Sequence, residues 1–282
     1  MSAAGPNDAT PSYVVFDSGL GGLSIVRALR ERGLGGRLVY VADHAGFPNG
    51  ALSEEAMLAR VEHVAAAAID RFDPAAFVVA CNTASTVVLP RLRARWSIPF
   101  VGTVPAIKPA AQATRSGRIS ILATPATVRR DYTKELIAEF AADKAVTLVG
   151  APRLAELAEA ALLGETVDPA AVAAEIAPAF VAAEQGGRGG AAERTDVIVL
   201  ACTHYPLALD LLARAAPWPV IWLDPAEAIA RRLADVAPQL QGVPEAGGVF
   251  VSTADASAAR RERLSTALRV FQIKALEKPF PV

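Results

Sequence analysis

The chain has 282 residues, a length that suits two modest domains or one large one, and about half of them are apolar, enough for a real core. Its 28 basic and 29 acidic residues leave a net charge of −1, which gives no footing for a nucleic acid or another polyanionic partner. No apolar run approaches the roughly 18 residues a membrane span needs, and two cysteines without a signal-peptide pattern lead us to expect a cytoplasmic protein.

Residues 1–12 read as a disordered leader. Short runs rich in Val, Ile and Leu then predict strands at 13–16, 38–41, 77–80, 99–101, 119–122, 146–149, 197–201 and 219–223. Helical signals fall between them. Leu20, Leu23, Val26 and Leu29 recur at helical spacing, and Ser53 followed by Glu54 and Glu55 reads as a cap with acids in the first turn. Thr124-Pro125 and Asp224-Pro225 each set a capping side chain before a proline at the first helical position. Residues 185–190 (Gln-Gly-Gly-Arg-Gly-Gly) read as a flexible surface loop without chemistry, and 241–248 as a second loose region. This alternation predicts an α/β fold with mainly parallel sheets.

In open α/β sheets ligands bind beyond the carboxyl ends of the strands, so the residues that follow each strand are the ones to read. They are Asp17-Ser18-Gly19, Asp43, Cys81-Asn82-Thr83, Thr124, and Cys202-Thr203-His204. Acids, hydroxyls, an amide, an imidazole and both cysteines are thus expected on one rim. Each cysteine follows a β-branched run and an alanine, and each is followed closely by Thr, a weak echo between the two halves. Spacing alone leaves three readings of Cys81 and Cys202: a disulfide, two unrelated buried thiols, or two thiols facing one cavity. The stretch from Asp17 to Gly22 has the glycines of a phosphate loop but lacks the Gly-Lys-Ser/Thr ending, so an anion site and a plain tight turn both stay open. Beside a cysteine, His204 can stabilise a thiolate or carry a proton. The cysteines and His204 lack zinc-ligand spacing, and no lysine stands at a strand end as a Schiff-base candidate.

Taken in order, Asp17-Ser18-Gly19 with Gly21-Gly22, Ala80-Cys81-Asn82-Thr83-Ala84-Ser85, Val101-Gly102-Thr103-Val104-Pro105-Ala106, Ala123-Thr124 with Thr127, and Cys202-Thr203-His204-Tyr205-Pro206-Leu207 resemble the glutamate racemases of the cofactor-independent aspartate/glutamate racemase superfamily. The match spans roughly residues 13–235. The resemblance implies a two-base enzyme that needs neither pyridoxal phosphate nor a metal. One cysteine takes the α-proton of glutamate and the other returns a proton to the opposite face, with Cys81 expected to take it from D-glutamate. It implies that Asp17 and His204 assist the thiols and that Glu159 is a further helper acid. Ser18, Asn82, Thr83, Thr124 and Thr203 would hold the substrate's polar groups, with Thr127, Asn49 and Gly50 beside them and Asp43 near the ammonium. Two similar α/β domains are implied, 13–103 plus 216–282 and 104–215, with the active site in the cleft between them, together with a homodimer and a role in supplying D-glutamate for peptidoglycan. The sequence departs from the family pattern where Asn49 replaces a tyrosine and Ala126 a glycine. Rival readings are a racemase of aspartate or a related amino acid, and a non-catalytic amino-acid-binding relative.

Overall fold

The computed structural model describes residues 10–182, 194–275 and 280. It contains two separate sheets, and every strand pair in both is parallel. Strands β1 (Ser12–Asp17), β2 (Gly36–Ala42), β3 (Ala76–Val79), β4 (Phe100–Gly102), β9 (Glu245–Ser252) and β10 (Ile273–Ala275) form the first sheet, in the order β10-β9-β2-β1-β3-β4. Strands β5 (Arg118–Ala123), β6 (Ala145–Gly150), β7 (Val197–Ala201) and β8 (Ile221–Leu223) form the second, in the order β6-β5-β7-β8. The α/β class with two parallel-sheet domains is as the sequence leads one to expect.

Parallel strands need crossovers, and helices supply them on both faces of the first sheet. Tyr13, Val15, Leu38, Tyr40 and Val78 point to one face, where they meet Leu23, Val26, Leu29, Ile229, Leu233 and Leu268. Val14, Phe16, Val39, Val41, Phe77 and Val79 point to the other, against Met57, Val61, Val64, Val88 and Leu92. The period-two alternation along the strands makes this division, and each such side chain taken from water contributes about 1.5–3 kcal/mol. The predicted caps form at Ser53 and Thr124, whereas the helix after Asp224 begins at Ala226, with Pro225 in the cap position and Asp224 one residue before it. Ser53 accepts from the Ala56 N–H, Thr124 from the Thr127 N–H and Asp224 from the Ala226 N–H.

Several sequence expectations need correction. Ser12, placed in the leader, is the first residue of β1 and is buried. The loose region 241–248 runs into β9, which the sequence reading misses: its opening glycines read as a loop, yet β9 lies between β2 and β10. Gly248 fits because a side chain there would press on Leu38 and Ile273, each 3.3 Å from the added carbon. β10 is too short to have shown in the sequence. The pairing of β8 with β7 carries the second sheet past residue 215, where the sequence reading sets the domain boundary. The loop 185–190 lies outside the described residues.

Each sheet has a point where the chain order reverses. β1 lies between β2 and β3, and β5 between β6 and β7. At such a switch point the loops part and leave a crevice. Cys81 follows β3 by two residues and Cys202 follows β7 directly, so each thiol stands at the crevice of its own sheet.

Candidate active site

Both cysteines are free thiols, which excludes a disulfide between them, and both line one cleft. Cys81 comes from the first sheet and Cys202 from the second. Ser18, Asn49, Gly50, Asn82, Thr83 and Thr124 share the wall with Thr203 and His204. The cleft is narrow, with free space of about 20 Å³, room for roughly one water molecule. Phe47, Pro48 and Ala155 complete the lining, and sequence reasoning did not find them.

The other candidates stand behind the wall. Asp17 is fully buried; its Oδ1 accepts the Gly19 N–H at 2.9 Å and its Oδ2 the Thr203 hydroxyl at 2.9 Å. Thr127 lies behind Thr83 and Thr124, and the three hydroxyls form a triangle of 3.0, 3.0 and 3.2 Å contacts that bridges the two domains. Glu159 is buried beside His204. Asp43 differs most from its expected place. Both of its oxygens are engaged by the Arg60 guanidinium at 2.6 and 2.5 Å, and Thr253 donates to Oδ1 at 2.7 Å. It does not line the cleft.

The two thiols have different surroundings. Cys81 caps the helix Asn82–Arg95. Burial pushes its thiol up to about 12, the charge of Asp17 adds to this, and the Ala84 N–H and Asn49 amide only partly oppose it. The Asn49 amide nitrogen lies 3.8 Å from the sulfur. Cys202 has His204 Nδ1 at 3.9 Å. Burial works to lower His204, but its hydrogen bonds to Cys202 and Glu159 and the charge of Asp17 outweigh this and raise it well above 6.5. His204 Nε2 faces Glu159 Oε2 at 3.0 Å. Burial also opposes the charge on Glu159, yet His204 and His44 hold its carboxyl well below the usual range. Cys81 is therefore set up as a neutral thiol, while Cys202 sits beside an imidazolium whose far nitrogen is anchored by a carboxylate.

The glycine-rich turn has its explanation here. A side-chain carbon at Gly21 would collide with Thr203 Oγ1 and stand 2.5 Å from His204 Nδ1. One at Gly19 would collide with Glu159 Oε2 and stand 2.9 Å from His204 Nε2. These glycines let the second domain's side chains reach the backbone of the first, where the Leu20 N–H donates to Glu159 Oε2 at 2.9 Å. The turn serves a domain contact.

The charge on His204 also makes a stability prediction. Its folded pKa exceeds its unfolded value, so its contribution is complete below about pH 6.5 and is lost as the pH rises through the higher folded value. We expect the difference in melting temperature between wild type and His204→Asn, followed across pH, to shrink on the alkaline side. A pH-independent difference would contradict a charged His204.

Two polar atoms on the cleft wall, Asn49 Oδ1 and Asn82 Nδ2, are buried without a hydrogen-bond partner. One is an acceptor and one a donor, a pair suited to an ammonium and a carboxylate. Among the described residues, no group of three or more His, Cys, Asp or Glu side chains is arranged to hold a metal ion.

Fold and site define a two-domain α/β protein whose interdomain cleft carries one thiol from each sheet. The Asp/Glu/hydantoin racemase family model matches residues 23–233, and the chain belongs to that family, which makes it an isomerase of the racemase class. It is 54% identical over 233 residues to the glutamate racemase of Brucella anthropi, covering 82% of this chain and 81% of that one. The glutamate racemase of Brucella ovis is also 54% identical, over 226 residues, 80% of this chain and 79% of that one. Among solved structures, Escherichia coli glutamate racemase in complex with L-glutamate and the activator UDP-MurNAc-Ala superposes with a TM-score of 0.82 at 37% identity, covering 95% of this chain and 97% of that one.

Proposed function

We propose that the protein is a glutamate racemase that interconverts L- and D-glutamate by direct proton transfer at the α-carbon, with Cys81 and Cys202 as the two bases. The observation that carries this reading is the pair of free thiols lining one cleft from two sheets. In this reading Cys202, beside His204, is the base on one enantiomer and Cys81 the acid. Cys202 removes the α-proton of one enantiomer, by family pattern L-glutamate, and Cys81 delivers its proton to the opposite face. The thiols then hold the reverse protonation state and are set for D-glutamate.

The physical setting supports this assignment. An ordinary thiol is only about 3% ionised at pH 7, and an adjacent imidazolium favours the thiolate. A thiol raised to about 12 holds its proton until a strongly basic carbanion takes it, and becomes a strong base once ionised. Charge developing on the α-carboxylate needs preorganised donors, and Asn82 Nδ2 is free to be one. Asn49 Oδ1 is the matching acceptor for the ammonium. Asp43 is committed to Arg60. D-glutamate for peptidoglycan, a cytoplasmic site of action and a homodimer complete the proposal. Among the described residues no helix is long and apolar enough to cross a membrane.

The test is exchange of the substrate α-proton in deuterated water, followed by NMR, with circular dichroism to follow optical activity. Deuterium uptake from either glutamate enantiomer, with decay of the optical signal, is the expected result. Exchange with aspartate and none with glutamate would make the protein a racemase of the other substrate. No exchange with any amino acid would leave the non-catalytic binding protein.

A further inference from the structure

Glu159 makes four contacts, and three of them reach residues of the first domain. Oε2 accepts the Leu20 N–H at 2.9 Å and faces His204 Nε2 at 3.0 Å. Oε1 accepts from the Arg260 guanidinium at 2.7 Å and stands 3.3 Å from His44 Nε2. Arg260 lies in the first turn of the helix Ala258–Val270 and reaches across the domain boundary. His44 is fixed in turn, with Nδ1 3.0 Å from Ser252 Oγ and its ring against Phe250 at 6.2 Å. Neither Arg260 nor His44 lines the cleft.

The two thiols are thus served differently. The groups around Cys81 (Asp17, Asn49 and the Ala84 N–H) all belong to the first domain, the domain of Cys81 itself. The line Cys202–His204–Glu159 belongs to the second domain, and its far end is held only by the first. We propose that Arg260 and His44 are positioning residues for the Cys202 half of the reaction: a clasp from the first domain that fixes the Glu159 carboxylate, and through it His204, only when the domains close. The inference rests on the two-thiol racemase reading. Domain closure then completes the Cys202 side through Glu159, while the groups in contact with the Cys81 sulfur come from its own domain. Closing motions that complete a catalytic arrangement are a known device, and here completion falls on one base of the two.

Rates alone do not test this. The equilibrium constant between enantiomers is one, so any variant lowers kcat/KM equally in both directions. Isotope effects separate the halves. Arg260 is partly exposed at the edge of the contact and Gln keeps a hydrogen-bond donor for Glu159, so Arg260→Gln is the variant of choice, with Arg260→Lys as the conservative rescue and thermal melting as the control for folding. We expect Arg260→Gln to lose about tenfold in kcat/KM, a typical cost of a misplaced group. For substrate deuterated at the α-carbon, the isotope effect on kcat/KM should rise with the enantiomer whose proton Cys202 removes. It should fall toward one with the other enantiomer, and Arg260→Lys should restore both. His44→Gln should move the two isotope effects in the same directions. Isotope effects that stay as in wild type, or that move together, would overturn the inference while leaving the racemase reading intact. A wild type that exchanges no α-proton would remove that reading and this inference with it.

Discussion

Cys81→Ser and Cys202→Ser are each expected to abolish racemisation, with kcat lower by about 10³-fold or more, while the protein stays folded. The magnitude follows from the role, since a positioned acid or base is worth roughly 10²–10⁴-fold, and each thiol serves as base in one direction and acid in the other. Serine keeps the shape, and its hydroxyl ionises too weakly to replace a thiol. Both cysteines are nearly buried, at 6% and 7% exposure, so the change removes a reactive atom and leaves no large hole. The measurement is the decay of the glutamate circular dichroism signal from each enantiomer, with thermal melting as the control for folding. A second consequence tests where the cleft lies. Both thiols belong to one chain, so mixing the two single variants should restore nothing. Recovery on mixing would mean that a cleft can be completed between chains. Wild-type turnover in either variant would show that one thiol suffices and would sink the two-base mechanism.

Arg60→Ala is expected to destabilise the fold by about 3 kcal/mol or more. Asp43 is fully buried and faces Arg60 through both oxygens. Removing one partner of a buried pair strands the other's charge, at a cost of about 3–5 kcal/mol. Thr253 still donates to Asp43, and Arg60 is partly exposed, so the lower end of that range is the better guide. Urea unfolding of wild type, Arg60→Ala and the double variant Arg60→Ala/Asp43→Asn measures it. The double variant should recover much of the loss, because it removes the stranded charge. It also decides the role of Asp43. If the acid only supports its loop, the double variant keeps its KM for glutamate within a few-fold. A large rise in KM with restored stability would return Asp43 to the substrate ammonium, where family resemblance puts it.

The sequence carried most of the cleft because the chemistry of parallel sheets is local. A strand that ends at its carboxyl edge must leave its next residue on the rim, so Ser18, Cys81, Asn82, Thr124 and Cys202 could be read one by one. What escaped was set by distance in the chain. Nothing near Asp43 signals that Arg60, a turn and a half into the next long helix, will take its carboxylate. Nothing near Glu159 signals Arg260, because the two meet only when separate domains pack. The glycines at 19 and 21 left an anion loop and a plain tight turn both open; the constraint on them comes from His204 and Glu159, far along the chain. β9 was lost for a related reason. Its glycines read as flexible until Leu38 and Ile273 are placed on either side. Identities of the residues on the rim were thus legible, and the shell that orients them was not.

The narrowness of the cleft has a thermodynamic consequence. A space this narrow restricts the entry of an amino acid, so the cleft must widen to admit substrate and close around it. Glutamate then meets an open form, and the measured affinity equals the intrinsic one reduced by the fraction of molecules that are open. Every interaction that favours the shut form, the threonine triangle and the Glu159 contacts alike, sharpens the chemistry and weakens apparent binding together. An unselective tightening of the interface would therefore raise KM, and the most stable variant of this protein would not be its fastest at low substrate.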